Sequence, residues 1–168
     1  MLFRSIGFGL TAFATVLPLF VLSVAVWTLG GERYAIETRF VKQILRGQPL
    51  TPVPGAGELC AGVIVFQGEL VPVFTPQPLF GLAAAPAEVS WIAVLGEQAP
   101  ELGLLVDAAW DVAQLRREQL SAPPGSALRE SWTSGLLQGV TADGLILING
   151  SELLRDPRLG AAAPPKPL

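Results

Sequence analysis

Histidine is absent from this 168-residue chain, and cysteine, methionine and tyrosine occur once each. Without histidine there is no imidazole to shuttle protons, to activate a serine or cysteine, or to complete a zinc site. Cys60 has no second cysteine to pair with, so no internal disulfide exists, which agrees with a reducing compartment without requiring one. On its own it reads as a small buried hydrophobe. Charge is also scarce: 11 Lys and Arg face 14 Asp and Glu, a net charge of -3, so no basic stripe is available to neutralise a phosphate backbone and nucleic acid is not an expected partner. Carboxylates, serines and lysines are the only chemistry left. Glu97 and Glu101 flank one turn, an arrangement that general acid and base work could use but that is more simply a solvated loop. The composition predicts a protein that is not an enzyme and carries no cofactor or metal.

Apolar residues are abundant instead, at 51% of the chain with a mean hydropathy of +0.50, which excludes a disordered chain. They are densest at the N-terminus, where no charge falls between Arg4 and Glu32. Three readings of that stretch compete. Met1 to Arg4, Ile6 to Leu22 and Ser23-Val24-Ala25 have the order of a signal peptide with its cleavage pattern. Ile6 to Leu29 is long enough for an uncleaved membrane anchor, although Pro18 weakens an uninterrupted helix. Alternatively, Leu22 to Leu29 is a buried strand preceded by an apolar extension.

Beyond Trp27 the pattern is one of apolar runs broken by tight turns. Gly30-Gly31, Gln67-Gly68 and Asp143-Gly144 each separate two such runs, as two-residue hairpin turns do. The run WIAVLGEQAPELGLLVD predicts a fourth hairpin with a longer polar turn. Two of these hairpins resemble each other, Gly62-Val63 with its Gln67-Gly68 turn and Gly139-Val140 with its Asp143-Gly144 turn, which suggests two related halves. Helical spacing is confined to Thr38 to Arg46, where Val41, Ile44 and Leu45 share a face, and to short pieces at Leu115 to Leu120 and Glu152 to Leu154. Pro123 to Ser126 reads as an exposed loop. The Ala- and Pro-rich stretch 158–168 reads as a disordered tail, which leaves an extension at 1–20 and a β domain at 21–157.

The segments LGGERYAIE, VKQILRGQPLTPVPGA, GVIVFQGELVPVF, GLLVDAAWDV and GVTADGLILINGSELL, in this order and spacing, resemble the CheW-like domain, the adaptor fold of bacterial chemosensory systems. The resemblance covers about Val21 to Pro157. It implies an all-β fold of two intertwined five-stranded SH3-like barrels with short helical turns. It also implies a non-catalytic, cytoplasmic adaptor that couples the regulatory domain of a CheA-type histidine kinase to the cytoplasmic tip of a chemoreceptor in a chemotaxis or motility pathway.

Within that resemblance, Phe66, Val73 and Phe74 near the central hairpin are candidates for the kinase-facing surface. Alternation along a strand nevertheless assigns at least half of them to the core. Gln67, Val106, Asp107 and Trp110 are candidates for the receptor side. Asp107 reads equally well as a strand-end acid bonded to backbone amides. Trp27 and Trp91 lie in apolar strand runs and are expected in the core, with Trp132 exposed. Two departures from the family pattern stand out. The family often has Asn-Leu-Arg-Gly where this chain has Val65-Phe66-Gln67-Gly68, which replaces a charge-assisted contact by a neutral amide and puts receptor coupling at that point in question. An acidic residue usual after the hairpin is missing from Pro72-Val73-Phe74-Thr75-Pro76. The competing reading is a membrane-tethered β-rich interaction or envelope protein anchored by residues 6–29.

Overall fold

The computed structural model describes residues 21–82, 91–107, 111–122 and 135–163. The readings of residues 1–20, of Trp110, Trp132 and the Pro123 to Ser126 loop, and of the last five residues lie outside this set. All four expected hairpins form: β1 (Val21–Leu29) with β2 (Glu32–Glu37), β4 (Cys60–Phe66) with β5 (Glu69–Phe74), β6 (Trp91–Leu95) with β7 (Leu102–Val106), and β9 (Leu137–Val140) with β10 (Leu145–Ile148). At the β4–β5 turn Gln67 and Gly68 have φ of 50 and 82, the left-handed pair that a two-residue primed turn requires. Ser23-Val24-Ala25, read as a cleavage pattern, lies inside β1. Among the described residues no helix is long and apolar enough to cross a membrane.

The helical reading of Thr38 to Arg46 is corrected. Only Thr38–Phe40 forms a 3-10 turn, and Val41–Arg46 is strand β3, paired antiparallel with β6. A bulge between Val41 and Gln43 breaks the two-residue alternation, so apolar residues at 41, 44 and 45 imitate a helical period. At Leu115 to Leu120 a 3-10 turn forms at Arg117–Gln119, after β8 (Asp111–Arg116). Glu152 to Leu154 lies in the short helix α1 (Gly150–Leu154), capped by the Asn149 side chain.

The strands make two five-stranded sheets, in the orders β8-β1-β2-β10-β9 and β3-β6-β7-β5-β4. Both have the same succession of pairings, antiparallel, antiparallel, parallel, antiparallel. If β8, β1, β2, β10 and β9 are laid on β3, β6, β7, β5 and β4, the first sheet is the second one circularly permuted, with the chain ends between its third and fourth strands. The chain therefore enters one sheet, builds the whole of the other, and returns to finish the first. This intertwining makes neither half complete without the other's neighbours in sequence.

Each sheet also curls until its edges meet. Thr51, just past β3, exchanges both backbone hydrogen bonds with Val63 on β4, at 3.0 and 2.9 Å. Ser121, just past β8, does the same with Val140 on β9, at 2.9 and 2.9 Å. These bridges turn the two sheets into the two expected barrels, here called the terminal barrel (β1, β2, β8, β9, β10) and the central barrel (β3 to β7). The hairpin likeness read from the sequence marks these corresponding places: Gly62-Val63 and Gly139-Val140 meet the closing residues. A Cβ at Gly62 would lie 2.8 Å from the Thr51 carbonyl oxygen, and one at Gly139 2.7 Å from the Leu120 Cβ. Glycine is what lets the edges approach.

Three apolar clusters hold the structure. The central barrel buries Ile64, Phe66, Val71, Val73, Ile92 and Val94, and the terminal barrel buries Val24, Ala35, Leu115, Leu145 and Leu147. The largest cluster lies between the barrels and takes residues from both, including Trp27, Tyr34, Phe40, Phe74, Phe80, Leu104 and Ile148. Trp27 is in the core as expected, whereas Trp91 is only partly buried at its margin, with the Arg46 guanidinium over its ring. Cys60 is likewise half-buried, not enclosed.

The tail assignment is also corrected. Residues 157–162 form helix α2 (Pro157–Ala162), with Asp156 as N-cap, and Leu159 and Ala162 join the cluster between the barrels. Alanine and a leading proline, which suggested disorder, are equally the composition of a short capped helix. Gly57 admits the helix: the Gly57 amide donates to the Ala162 carbonyl at 3.3 Å, and a Cβ there would lie 3.0 Å from the Ala162 backbone.

Candidate functional site

The two barrels differ at the tips of their corresponding hairpins. In the terminal barrel the paired strands end where the Thr141 amide donates to the Leu145 carbonyl, leaving Ala142, Asp143 and Gly144 as the turn. The turn is locked by polar contacts. The Thr141 hydroxyl donates to the Asp143 carboxylate at 2.5 Å, and Arg33 bonds the same carboxylate at 2.7 Å. These two partners hold the Asp143 carboxyl below the usual carboxylate range.

In the central barrel, six residues, Val65 to Leu70, lie beyond the corresponding pair Ile64 and Val71, so the hairpin projects further. Phe66 turns inward onto the barrel core, whereas Val65 and Leu70 face each other directly across the strands and are 68% and 61% exposed. Single exposed apolar residues are ordinary, but a cross-strand pair on a projecting tip is a contact surface in waiting. β4 is moreover an edge strand, and past the Thr51 bridge no described strand lies beside it. Val112, on edge strand β8, is also exposed, at 60%.

The residues singled out from the sequence fall differently. Phe66, Val73 and Phe74 are all buried, the first two in the central barrel and Phe74 between the barrels, so none of them presents a surface as it stands. At its C-terminal end β5 is covered on both faces, at Val73 by its own barrel and at Phe74 by the cluster between the barrels, so alternation exposes neither there. Val65 and Leu70 escaped the sequence reading because apolar residues fill successive positions there and period two gives no contrast. The signal available was the two-residue turn, which sets Val65 opposite Leu70 on the face that Phe66 does not share.

On the other side, Gln67 is exposed at the hairpin tip, Val106 is buried, and Asp107 is half-buried at the end of β7. The Gly30 amide, in the β1–β2 turn of the terminal barrel, donates to the Asp107 carboxylate at 2.7 Å, and the Asp107 amide donates to the Thr28 carbonyl at 3.1 Å. Asp107 thus bonds backbone of the other barrel. Nearby, Tyr34 of β2 stacks on Phe80 with ring centroids 4.9 Å apart, and burial, reinforced by the Glu32 charge, pushes its phenol far above the ordinary value.

The Glu97 and Glu101 pair closes its own turn, since the Glu97 amide donates to the Glu101 carboxylate at 3.0 Å. The Lys42 ammonium donates to the Glu97 carbonyl at 2.7 Å, which fits the solvated-loop reading. A half-open hollow of about 220 Å³ lies among Leu136, Glu152, Arg155, Asp156, Pro157 and Arg158. Both of its arginines are paired, Arg158 to Asp156 at 2.7 Å and Arg155 to Glu97 at 3.8 Å. Among the described residues no group of histidine, cysteine or acidic side chains has the arrangement of a metal site.

Comparison with known proteins bears on this architecture directly. "Chemotaxis protein CheW" of Treponema pallidum (strain Nichols) is 27% identical over 101 residues, which span 57% of this chain and 59% of that protein. The protein of the same name from Rhizobium meliloti (strain 1021) is 26% identical over 112 residues, 65% of this chain and 72% of the relative, and that of Klebsiella aerogenes is 26% identical over 135 residues, 77% and 79%. The crystal structure of scaffolding protein TtCheW from Thermoanaerobacter tengcongensis superposes with a TM-score of 0.64 at 22% identity, covering 76% of this chain and 84% of that one, which establishes the shared fold. Residues 23–158 match the model of the CheW-like domain, and the chain belongs to that family of non-catalytic scaffolds.

Proposed function

We propose that this protein is an adaptor that couples a CheA-type histidine kinase to chemoreceptors in a bacterial chemotaxis or motility pathway, working in the cytoplasm where both partners present their binding domains. The observation that carries the reading is the exposed Val65 and Leu70 pair on the extended hairpin of the central barrel, which its counterpart in the terminal barrel lacks. An adaptor without catalytic groups acts through buried contact area, and an apolar centre with a polar rim is the surface that supplies it. The tip has that composition: Val65 and Leu70 stand beside exposed Gln67 and Glu69. It is the outward counterpart of Phe66, and it takes the kinase-docking role that the buried Phe66, Val73 and Phe74 do not offer.

Receptor docking is assigned to the side of the joint at Asp107, over the buried Val106; Trp110, which belongs to the same reading, lies outside the described residues, and Gln67, at the hairpin tip, is a neutral contact in place of a charged one. Calorimetry between the full chain and the regulatory domain of each CheA-type kinase from the same genome tests the reading. Micromolar or tighter binding to one kinase is expected, and Val65→Ser with Leu70→Ser should weaken it at least tenfold while leaving the thermal midpoint within about 2 °C, as surface changes do. Full affinity in the double variant would remove the tip from the interface. No binding to any kinase by the folded chain would overturn the adaptor reading.

A further inference from the structure

Beside the apolar cluster that the barrels share, two β-turns lie at the joint, and they are held in different ways. The β1–β2 turn of the terminal barrel reaches onto the central barrel, where Asp107 accepts the Gly30 amide at 2.7 Å. The β6–β7 turn of the central barrel is held within its own barrel: the Gly96 amide donates to the Phe40 carbonyl at 2.9 Å, the next rung of the β3–β6 ladder, and only the exposed Glu97 side chain, at 3.4 Å from Ser151 of helix α1 and 3.8 Å from Arg155 just past it, reaches across. At Gly96 the acceptor is backbone, fixed by the fold itself. At Gly30 it is a carboxylate, and among the described residues the Asp107 amide bond to the Thr28 carbonyl at 3.1 Å and Leu82 beside the turn stand with it.

From this difference we infer that Asp107 is a positioning residue: its carboxylate is the side-chain clasp that fixes the β1–β2 turn of the terminal barrel on the central barrel, and so the shape of the rim of the joint on which the receptor-docking reading above rests. Three features support the assignment. The bond is charge-assisted and short, the class of hydrogen bond worth most to its geometry. It joins residues 77 positions apart, which no local turn could replace. It also occupies the carboxylate oxygen with protein, so Asp107 acts through the joint and not by offering that oxygen to a partner. A half-buried side chain that meets the turn of the other barrel frees that turn if it is lost.

The test uses the full chain, with amide hydrogen exchange read on peptides spanning Gly30 and Gly31 and, as the internal control, peptides spanning Gly96. Asp107→Ala should speed exchange at the Gly30 turn at least tenfold and leave the Gly96 turn as it is. Asp107→Asn, whose side-chain oxygen still accepts but carries no charge, should recover most of the protection, and it also keeps the question answerable if the alanine variant does not fold. Unchanged exchange at Gly30 in the folded variants, or equal loosening of both turns, would overturn the clasp. Binding separates this from the function proposed above. Asp107→Ala should weaken a receptor-tip fragment about tenfold with kinase affinity unchanged. A loosened turn with full affinity for both partners would keep the clasp and sink the receptor-docking assignment instead.

Discussion

The central and terminal barrels have the same strand order, the same closing bridge and equivalent hairpins, yet one tip is closed and the other is open. In the terminal barrel, Thr141, Asp143 and Arg33 satisfy one another across a three-residue turn, and Ala142 is the one apolar residue exposed there. In the central barrel the hairpin runs on, Phe66 fills the barrel behind it, and Val65 and Leu70 are left facing water. Leaving apolar area in water forgoes roughly 25 cal/mol for each Å² that could have been buried. The terminal barrel shows that this topology does not require the sacrifice. The difference is therefore the ground for proposing docking at the extended hairpin, while the features the barrels share are those that close and fill them.

The strongest way to break the comparison is to remove a residue that belongs to both barrels. Phe74 lies at the end of β5 but is buried in the cluster between the barrels. Phe74→Ala should destabilise the protein by about 3–5 kcal/mol, the usual cost of emptying an aromatic site in a core. Because the cluster takes side chains from both halves, denaturant unfolding should still show one transition by fluorescence and by circular dichroism. Two separated transitions would mean that the barrels are independent and that the cluster between them only fills space.

How much of this was legible beforehand follows from which features are local. The hairpins were, because Gly30-Gly31, Gln67-Gly68 and Asp143-Gly144 carry their turn chemistry in two residues, and the likeness of two of them marked the corresponding parts of the barrels. The closing segments repeat too, Leu45-Arg46 and Leu50-Thr51 against Leu115-Arg116 and Leu120-Ser121, a correspondence that becomes readable only once both bridges are seen. Strand β3 was misread because its bulge shifts the apolar phase, and helix α2 because its composition is that of a tail until Leu159 finds a core to enter. For the candidate site, the sequence singled out Phe66, Val73 and Phe74, which the fold buries, and passed over Val65 and Leu70, which it exposes, because apolar residues fill successive positions there and only the turn register tells the two faces apart. Asp107 was open between partner contact and backbone acceptor, and only the fold brings Gly30 to it.

A smaller effect sharpens the equivalence of the closing bridges. Gly62 and Gly139 occupy matching positions, but at Gly62 a Cβ would meet a backbone carbonyl oxygen and the φ is +150, whereas at Gly139 it would meet the Leu120 side chain. Gly62→Ala should cost about 2–3 kcal/mol, combining backbone strain at φ +150 with a contact on a backbone carbonyl, and Gly139→Ala about 1–2 kcal/mol, because its contact, on the Leu120 Cβ, is as fixed but no strained φ adds to it. Urea midpoints of the two variants decide the order. Equal losses would show that the two closures are energetically the same, and the reverse order would place the tighter seam in the terminal barrel.

The smallest expected effect tests what the terminal barrel has in place of an extended hairpin, the docked helix α2. Asp156 caps it through the Arg158 amide and pairs with the Arg158 guanidinium at 3.0 and 2.7 Å. Burial alone would raise its carboxyl, but the hydrogen bonds and charge of Arg158 outweigh this and hold it below the ordinary value. A carboxyl whose folded pKa is depressed contributes stability that is complete above its unfolded pKa, near 4, and disappears as pH falls through the folded one. Asp156→Ala, which removes cap and ion pair together, should therefore be about 1–2 kcal/mol less stable than the parent at pH 7, with the gap narrowing only below about pH 4. Because the Asp156 side chain is nearly buried, added salt should close little of that gap at pH 7, whereas the exposed Arg33 and Asp143 pair should be screened. A gap that closes already at pH 6, or that salt removes, would mean that α2 is held by Leu159 and Ala162 alone.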